Sequence, residues 1–376
     1  MKIERIELVP LRWHLDTPKW DAHLDIRFRD CLLVKVHTDE GVEGIGEAAA
    51  FGSAMGAVSS VIRDQLSPLV VGEDPLRIEG IWRRMYDATI HLGRSGIVMA
   101  AMSGIDIALW DIAGKVAGLP LYKMLGAVTG RLPCYASGGL YERGSSPEHV
   151  AGEVVAYAER GFTGAKVKVA GADLKDDLAR VEAVRAAVGD AFDLMVDANC
   201  GYSVQEAVDF SRAAADVGLA WLEEPVRADD LDGAVEVARR SAVPIAGYES
   251  QSSRFVFRDL IVRGAVSVVQ ADCIWAGGVT NVRKIAGLAD SWHQKFAPHV
   301  FSSAVALAAN SHLLASCPNA GPLEFDGQPN PLRDEIVLNP RFPHDLGVYQ
   351  LPERPGLGLE LNPDGLERYR ISVARG

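Results

Sequence analysis

A disulfide framework and a basic patch are both missing from this sequence. The five cysteines are odd in number and far apart, so they form neither a zinc pattern nor a set of disulfides. They are Cys31, Cys134, Cys200, Cys273 and Cys317. A reducing, cytoplasmic compartment therefore fits best. The formal net charge of -12 argues against a nucleic-acid partner, because such a surface requires clustered Lys and Arg.

An apolar leader and an uninterrupted hydrophobic span are also absent. The chain begins Met1-Lys-Ile-Glu-Arg-Ile-Glu, which has no apolar h-region, so we expect no signal peptide. The most apolar stretch, near residues 98–117, is interrupted by Asp106 and Asp111, so we expect no membrane partner. The remaining composition is ordinary for a globular protein, with 48% apolar and 23% charged residues. A chain of 376 residues is long enough for roughly two domains.

Residues 1–125 have the pattern of an α+β domain. The apolar runs 31–37 and 42–47 flank an Asp-Glu-Gly turn and predict a β-hairpin. The preceding residues 13–30 are rich in aromatic and charged side chains without a core pattern. We therefore expect a long loop there, and loops of such length are often functional.

A long helix is predicted after the hairpin. Its apolar face, at helical spacing, consists of Met102, Ile105, Leu109, Ile112 and Val116. Gly118, with Pro120 beyond it, is the expected helix end.

From residue 132 onward, short apolar runs alternate with helical segments. The eight runs are 132–137, 165–169, 193–197, 219–223, 244–249, 265–272, 295–299 and 322–326. Eight is the number of strands in a closed parallel barrel, where ~250 residues make eight strand–helix units. Ser146 and Pro147 have the pattern of an N-cap followed by proline at the first helical position, and that helix is predicted to end at Gly161.

Three of these runs end in a carboxylate at equal intervals. Asp197, Glu223 and Glu249 are each separated by 26 residues, about the length of one barrel unit. Their common position is the C-terminal mouth of the barrel, where active sites lie. One such acid would be read as a surface residue. Three oxygen donors in equal register, without His or Cys, suit a hard cation such as Mg²⁺.

Two lysines lie on the predicted second barrel strand. Strand periodicity places Lys166 and Lys168 on one face, which in a barrel points inward. An ammonium there requires a partner. We expect like-charge repulsion to lower the pKa of each lysine, which is one way to prepare a base. Away from the acids, the pair would be structural as often as functional.

The last three barrel runs carry further candidates. Asp272 and His299 occupy equivalent strand-end positions, and a carboxylate near one ring nitrogen would fix the tautomer of the histidine. A lone histidine is more often structural than catalytic, so the shared position carries this prediction. Glu324 could bind a substrate oxygen, although a surface acid is nearly as good an explanation.

Together these motifs resemble the enolase superfamily and, within it, the mandelate racemase subgroup. Lys166-Val-Lys168 resembles the Lys-x-Lys motif of the second barrel strand. The three Mg²⁺ ligands of the family are similar to Asp197 with Asn199, Glu223 in Leu-Glu-Glu-Pro, and Glu249.

The sixth and seventh strands select the subgroup. Asp272 with His299 resembles its His-Asp pair, whereas the muconate cycloisomerase type would carry a lysine on the sixth strand. The residues after Asp272 are Cys-Ile-Trp-Ala-Gly-Gly, which excludes that type. The helical segment 103–115 is also similar to the capping domain of the family.

The resemblance implies a modified TIM barrel of (β/α)7β form at residues 126–326. An α+β capping domain, residues 1–125, would be completed by the C-terminal tail, residues 327–376. Two loops of the cap, residues 13–30 and 48–58, would set specificity. Trp20, His23 and Arg27 are candidates to bind the distal end of the substrate. A homo-oligomer is expected by analogy alone.

The chemistry implied is abstraction of the proton α to a carboxylate, through an ene-diolate that Mg²⁺ stabilises. One Mg²⁺ per subunit is expected, with Mn²⁺ as a possible substitute. Lys168 would be one base and Lys166 its pKa modulator. His299, oriented by Asp272, would stand on the opposite face of the substrate.

Three outcomes share this machinery and a small-molecule carboxylate substrate. Dehydration of an acid sugar to a 2-keto-3-deoxy acid is the leading prediction, with Glu324 donating a hydrogen bond to the substrate carboxylate. A lactone cycloisomerase and a racemase or epimerase of a 2-hydroxy acid are the alternatives. The segments 323–331 and 355–362 are similar to both dehydratases and galactarolactone cycloisomerases.

Two other classes remain open. A barrel glycosidase would also use paired strand-end carboxylates, but it would need neither a third aligned acid nor an inward lysine pair. A non-catalytic sugar-acid binding protein would keep the acids and lose the bases, whereas this chain has both Lys168 and His299.

Overall fold

The computed structural model describes residues 1–51, 53–340, 342 and 347–372. The strands are β1 (Ile3–Trp20), β2 (Asp25–Thr38), β3 (Glu43–Ala48), β4 (Arg131–Ser137), β5 (Tyr141–Glu142), β6 (Gly164–Lys168), β7 (Asp193–Asp197), β8 (Leu219–Glu223), β9 (Ile245–Gly247), β10 (Val268–Val269), β11 (Lys295–Phe296), β12 (Leu323–Asp326) and β13 (Val348–Gln350). They form two sheets, one antiparallel with the order β3-β2-β1-β5 and one whose main path is parallel.

The helices cover the faces of these sheets. They are α1 (Met55–Ser60), α2 (Ser67–Val70), α3 (Ile78–Ala88), α4 (Ile97–Ala117), α5 (Leu121–Met124), α6 (Pro147–Glu159), α7 (Leu174–Val188), α8 (Val204–Ala213), α9 (Leu231–Arg240), α10 (Arg254–Val262), α11 (Gly278–Ser291), α12 (Ala304–Leu314), α13 (Pro331–Asp334) and α14 (Pro363–Tyr369). A π-helical segment, Val61–Leu66, links α1 to α2, and a 3-10 turn, Ala215–Val217, follows α8.

The parallel sheet is the predicted barrel. Its order is β11-β10-β9-β8-β7-β6-β4-β12, and the seven helices α6 to α12 connect its eight strands, as a (β/α)7β fold requires. The two ends of this path meet at Phe296, which donates to the carbonyl of Asn319 at 3.0 Å and accepts from the N–H of Gly321 at 2.7 Å. The family fold predicted from the motifs is thereby confirmed.

Residues 13–30, predicted as a loop, form most of a long β-hairpin instead. β1 and β2 stay paired as far as Trp20 and Asp25, with a register shift between His14 and Lys19. Asp21 closes the turn by accepting from two backbone N–H groups at 2.8 Å. β3 pairs only with the later half of β2, and the outer hairpin is otherwise joined only at Lys19 and Trp20 by the two-residue strand β5, so little of its surface is buried among the described residues. The pairing of β1 with β2 makes the backbone of residues 13–30 extended, although the sequence of this segment lacks a core pattern.

The predicted hairpin of β2 and β3 and the long helix α4 are both present. Gly118 ends α4 in the left-handed conformation, with φ 67°. Four of the five predicted face residues are fully buried, whereas Val116 is 48% exposed because it lies in the last turn. α4 approaches β3 so closely that a Cβ on Gly46 would lie 2.0 Å from the carbonyl oxygen of Gly104.

α4 is long and apolar enough, by length and composition alone, to cross a membrane. Within its most apolar window, 89% of the residues are buried inside the fold, and a core helix passes the same test. α4 packs against α11 of the barrel, where Asp106 accepts from the backbone N–H of Thr280 at 3.0 Å. This helix therefore joins the antiparallel domain to the barrel.

The first barrel helix begins as predicted. Ser146 precedes it in an extended conformation, and Pro147 occupies the first turn. The side chain of Ser146 makes no capping bond to the helix backbone, and the helix ends at Glu159 rather than at Gly161. Later in the chain, the tail returns to the first sheet, where the N–H of Ile371 donates to the carbonyl of Pro10 at 3.0 Å.

The domain limits at residues 125 and 326 stay predictions. Part of the tail (341, 343–346 and 373–376) and Gly52 of the second predicted loop lie outside the described residues. All five cysteines are free.

Candidate active site at the mouth of the barrel

Three carboxylates meet at the C-terminal ends of neighbouring strands. Asp197 and Glu223 end β7 and β8 and are directly paired in register, and Glu249 follows β9 by two residues. One ligand oxygen from each lies within 4.8 Å of the other two. Asp197 and Glu223 are fully buried, and Glu249 is half-buried. Parallel pairing has thus converted the equal sequence spacing into a single cluster.

The cluster has the properties of a site for a hard divalent cation. Burial raises the pKa of Glu223 to about 8, although the ammonium of Lys166 acts in the opposite direction. Burial likewise raises the pKa of Glu249, whose Oε2 accepts no hydrogen bond from the described residues and is 3.4 Å from Nε2 of His299. Buried carboxylates that repel one another and leave an oxygen unsatisfied are stabilised by a bound cation. The donor set, all oxygen, fits Mg²⁺.

The first two ligands are held by further polar groups. Oε2 of Glu223 accepts from Nε2 of Gln270 at 2.6 Å and from Nε1 of Trp221 at 3.1 Å. Asn199 donates its backbone N–H to Oδ1 of Asp197 at 2.8 Å and has a left-handed conformation, φ 41°, that Asn tolerates well. Such outer contacts fix the orientation of a metal ligand.

The two lysines occupy different depths. Lys166 is 1% exposed and contacts Glu223 and, at 2.9 Å, Oε1 of Glu324. Lys168 reaches the cavity and contacts Oδ2 of Asp197. Lys166 therefore lies beneath the cluster, and Lys168 lies at its side.

The prediction of lowered lysine pKa values is wrong for this arrangement. Burial and the repulsion of Lys166 do lower the pKa of Lys168, but the nearby carboxylates, Asp197 above all, outweigh both effects. The pKa of Lys168 is consequently above its ordinary value, and the same holds for Lys166. A divalent cation on the same carboxylates would compete for their negative charge and act in the opposite direction.

His299 and Asp272 lie together on the other side of the cluster. Nδ1 of His299 is 2.9 Å from Oδ2 of Asp272, and Nε2 is 3.4 Å from Oε2 of Glu249. Burial lowers the pKa of His299, but Glu249 and Asp272 outweigh it and raise the value to about 10. With Nδ1 directed to Asp272, Nε2 is the nitrogen available to the cavity.

Glu324 is engaged as an acceptor rather than as a donor. Oε1 contacts Lys166, and Oε2 accepts from the backbone N–H of Val300 at 3.0 Å. Burial raises the pKa of this carboxyl, but the charges of Lys166 and His299 outweigh that effect and hold the pKa below its ordinary value. The predicted donation to a substrate carboxylate requires a protonated acid, which this environment disfavours.

These groups line a cavity of about 710 Å³ that lies beneath the outer hairpin of β1 and β2. Its lining includes Lys168, Asn199, Glu249 and His299, and His23 and Arg27 reach it from the hairpin as exposed side chains. The described residues that line it do not include Trp20, whose ring stacks on Tyr141 with centroids 6.0 Å apart. The suggestion that Trp20 binds substrate therefore has no support in the geometry.

Sequence reasoning missed several lining residues. Trp275 and Phe301 lie three and two residues beyond Asp272 and His299, and Phe51 packs on both of their rings. Arg29 stacks on Phe301 and contacts Asp326, which joins the hairpin to the end of β12. The three residues that follow each strand-end candidate include Trp275 and Phe301, so the sequence held a signal for both aromatic rings.

The fold and the site define a barrel enzyme class in which a carboxylate triad lies between a lysine and a histidine. The sequence profile of the mandelate racemase / muconate lactonizing enzyme N-terminal domain matches residues 6–126. The enolase C-terminal domain-like profile matches residues 149–365. The chain therefore belongs to the mandelate racemase type of the enolase superfamily.

Several relatives have known activities. Arabinonate dehydratase from Saccharolobus solfataricus is 36% identical over 91% of each chain. D-galactarolactone cycloisomerase from Agrobacterium fabrum is 34% identical over 99% of each chain. L-talarate/galactarate dehydratase from Salmonella typhimurium is 35% identical over 88% of this chain and 80% of the relative.

Solved structures are similar over nearly the whole length. A member of the enolase superfamily from Polaromonas sp. JS666 has a TM-score of 0.93, with 34% identity over 99% of this chain and 98% of that chain. A racemase from Streptomyces coelicolor A3(2), solved with bound magnesium, has a TM-score of 0.90, with 31% identity over 98% of this chain and 100% of that chain.

Proposed function

We propose that this chain is a Mg²⁺-dependent acid-sugar dehydratase. The observation that carries the proposal is the position of Lys168 and His299 on either side of the carboxylate triad. Lys168 ends β6 and His299 follows β11, and the three strands that carry the triad lie between them in the sheet order. A carboxylate substrate at the triad would therefore have a proton-transfer group on each face.

Asp197, Glu223 and Glu249 would hold one Mg²⁺, and Mn²⁺ is expected to substitute because it accepts the same oxygen donors. When bound, the metal supplies positive charge where the substrate carboxylate accumulates negative charge. Asn199, whose buried Oδ1 has no hydrogen-bond partner in the part of the chain that the structure describes, would bind a substrate group beside it. Lys166 would balance the charge of the cluster from below.

Lys168 or His299 would take the proton from the α-carbon, leaving the electron pair of the C–H bond in an ene-diolate. For dehydration, the β-hydroxyl then leaves as water with a proton from the opposite group, and the resulting enol becomes the 2-keto-3-deoxy acid. Asp272 keeps Nδ1 of His299 occupied, so that Nε2 can carry the transferred proton. The hairpin would exclude water from this chemistry.

A lactone cycloisomerase is the second candidate. The relative with that activity aligns over 99% of both chains, which is the fullest coverage among the curated relatives described above. The same proton abstraction would serve, and only the leaving oxygen would differ. The cytoplasmic location and the homo-oligomeric state stay predictions.

Product identity tests the proposal. The purified protein with Mg²⁺ is incubated in D₂O with a panel of sugar acids and their lactones, and products are read by proton NMR. A 2-keto-3-deoxy acid supports dehydration, and consumption of a lactone alone supports the cycloisomerase. Solvent deuterium at the α-carbon without net loss of water supports epimerisation. The Asp197→Asn variant, which loses a proposed ligand, is the matched control for protein-independent reactions.

A further inference from the structure

A third buried side chain, Asn310 of α12, lies behind His299 and Asp272. Its Nδ2 donates at 2.8 Å to Oδ1 of Asp272, the oxygen that His299 does not use. Its Oδ1 accepts at 2.9 Å from the backbone N–H of Cys273. The orientation of the amide is determined, because a backbone N–H requires the oxygen to face it. The two ends of one amide thus hold Asp272 and the residue that follows it.

Solvent offers no replacement for these contacts. Asn310 and Asp272 are both 0% exposed, and α12 is buried along its whole length. A polar amide in such a helix costs free energy unless its hydrogen bonds are made. Removing Asn310 would leave Oδ1 of Asp272 with one donor among the described residues, the N–H of Ile274 at 2.9 Å. The carboxylate would then have more freedom to rotate away from the imidazole.

The helix that carries Asn310 is attached to the antiparallel sheet through Glu47. This carboxylate, on β3, accepts from the hydroxyls of Ser302 and Ser303 and at 3.0 Å from the N–H of Ala306. The two serines belong to the short segment between His299 and α12. Glu47 is 0% exposed, and charge-assisted hydrogen bonds of this kind are among the stronger ones.

The same end of β3 also holds the segment after Asp272. The N–H of Ala49 donates to the carbonyl of Ile274 at 3.1 Å, and the N–H of Ile274 donates to Oδ1 of Asp272. One strand end of the antiparallel sheet is therefore bonded to both the segment that follows Asp272 and the segment that follows His299. The contacts of Asn310 complete this arrangement from the helix side.

We propose that Asn310 and Glu47 are positioning residues that hold the imidazole of His299 in the orientation required for proton transfer. The proposal rests on the proposed function of His299. Neither side chain belongs to the described lining of the cavity, so both act through Asp272 or through the segment that carries His299. Outer contacts of metal ligands change activity by about 10–100-fold when they are substituted, and we expect an effect of the same order for these contacts of the His299 pair.

Proton-transfer rates test the proposal with the full chain and Mg²⁺. The substrates are the sugar acid that is active in the product screen above and its α-epimer. NMR in D₂O gives three rates, which are the deuterium exchange of the acid, the deuterium exchange of its epimer and the formation of product. His299→Asn and Lys168→Met first establish which rates depend on each group. Asn310→Leu, which keeps the number and branching of the side-chain heavy atoms, is expected to lower the rates that His299→Asn lowers by about 10–100-fold and to leave the others within about threefold. Glu47→Gln is expected to act in the same direction.

A spectroscopic readout separates positioning from general damage. In protein labelled with ¹⁵N-histidine, the Nδ1–H proton of His299, assigned by its loss in His299→Asn, should shift or exchange faster with solvent in Asn310→Leu. Ser311→Ala is the matched control, because its hydroxyl donates to the carbonyl of Ala308 within α12 and contacts neither Asp272 nor His299. Mg²⁺ affinity equal to the parent protein verifies that each variant is folded at the site. Asn310→Ser is the milder replacement if the leucine variant does not fold.

The outcomes distinguish failure of the role of His299 from failure of the positioning role. A His299→Asn variant with all rates intact would overturn the role of His299 and this inference with it. If His299→Asn is impaired but Asn310→Leu and Glu47→Gln retain their rates and the Nδ1–H signal, the positioning role alone is refuted. Impairment of both variants with a displaced signal, and none in Ser311→Ala, supports it.

Discussion

Lys168, a proposed proton-transfer group, is ion-paired with Asp197, a proposed metal ligand. This contact predicts opposite effects of one substitution on catalysis and on metal affinity. Lys168→Met should lower turnover by about 10²–10⁴-fold because a proton-transfer group is lost. The same variant should bind Mg²⁺ at least as tightly as the parent, since a competing positive charge has been removed.

Isothermal titration with Mg²⁺ and NMR assays of turnover measure the two effects. Lys175→Met, an exposed lysine on α7, is the control and should change neither quantity. Weakened Mg²⁺ binding in Lys168→Met would contradict the arrangement of base and metal described here.

Two adjacent glutamates should differ in their effect on metal affinity. Glu223 lies in the carboxylate cluster, whereas Glu224 lines the cavity and accepts from Ser250 at 3.5 Å. Glu223→Gln should weaken Mg²⁺ binding by at least about tenfold, and Glu224→Gln should weaken it less, because only the first loses an anionic ligand. Titration calorimetry of both variants measures this. Equal losses would show that the ligand set has been assigned wrongly.

The buried Asp106 should make stability depend on pH. Burial raises the pKa of Asp106 to about 7 from its ordinary value of 3.8, so the folded protein holds a proton that the unfolded chain releases in this window. Stability therefore falls as pH rises between these values, by about 4 kcal/mol in total.

Asp106→Asn removes this titration while keeping an acceptor for the N–H of Thr280. The variant should be more stable than the parent at about pH 8, and the difference should shrink towards about pH 5. Urea unfolding at both pH values measures it, with the exposed Asp209→Asn as the control. A difference that does not change with pH would contradict the assigned pKa.

The close contact of β3 with α4 predicts a large effect of a single methyl group. An alanine at Gly46 would place its Cβ 2.0 Å from the carbonyl oxygen of Gly104, and backbone must move to relieve the clash. Gly46→Ala should destabilise the fold by about 3 kcal/mol. Gly287→Ala, on the exposed side of α11 with open space around it, should instead stabilise by about 0.5–1 kcal/mol. Denaturant midpoints of the two variants test this, and equal stability of Gly46→Ala and the parent would be inconsistent with the packing.

Much of the barrel could be predicted because its signals are local and periodic. Equal spacing of Asp197, Glu223 and Glu249 reflects a repeated unit, and parallel pairing carries it directly into space. The end of α4 at Gly118 was equally predictable, since glycine adopts the left-handed conformation that ends a helix.

Other features depend on partners that are distant in sequence. The outer hairpin has no buried face, so neither strand shows the alternation by which strands are recognised. Asn310 reads as one polar residue in an apolar helix, and only the fold brings its amide to Asp272, 38 residues away. The raised pKa of Lys168 likewise follows from Asp197 on the next strand rather than from its neighbour Lys166.

The central claim is that this chain removes an α-proton from an acid sugar with the help of a divalent metal at Asp197, Glu223 and Glu249. The most direct measurement follows deuterium incorporation and product formation by NMR for an active acid, before and after removal of metal with a chelator and again after Mg²⁺ is added back. The account predicts that both rates disappear with the metal, return with Mg²⁺ and stay absent in Glu223→Gln. Turnover that persists in excess chelator, or in Glu223→Gln, would contradict it.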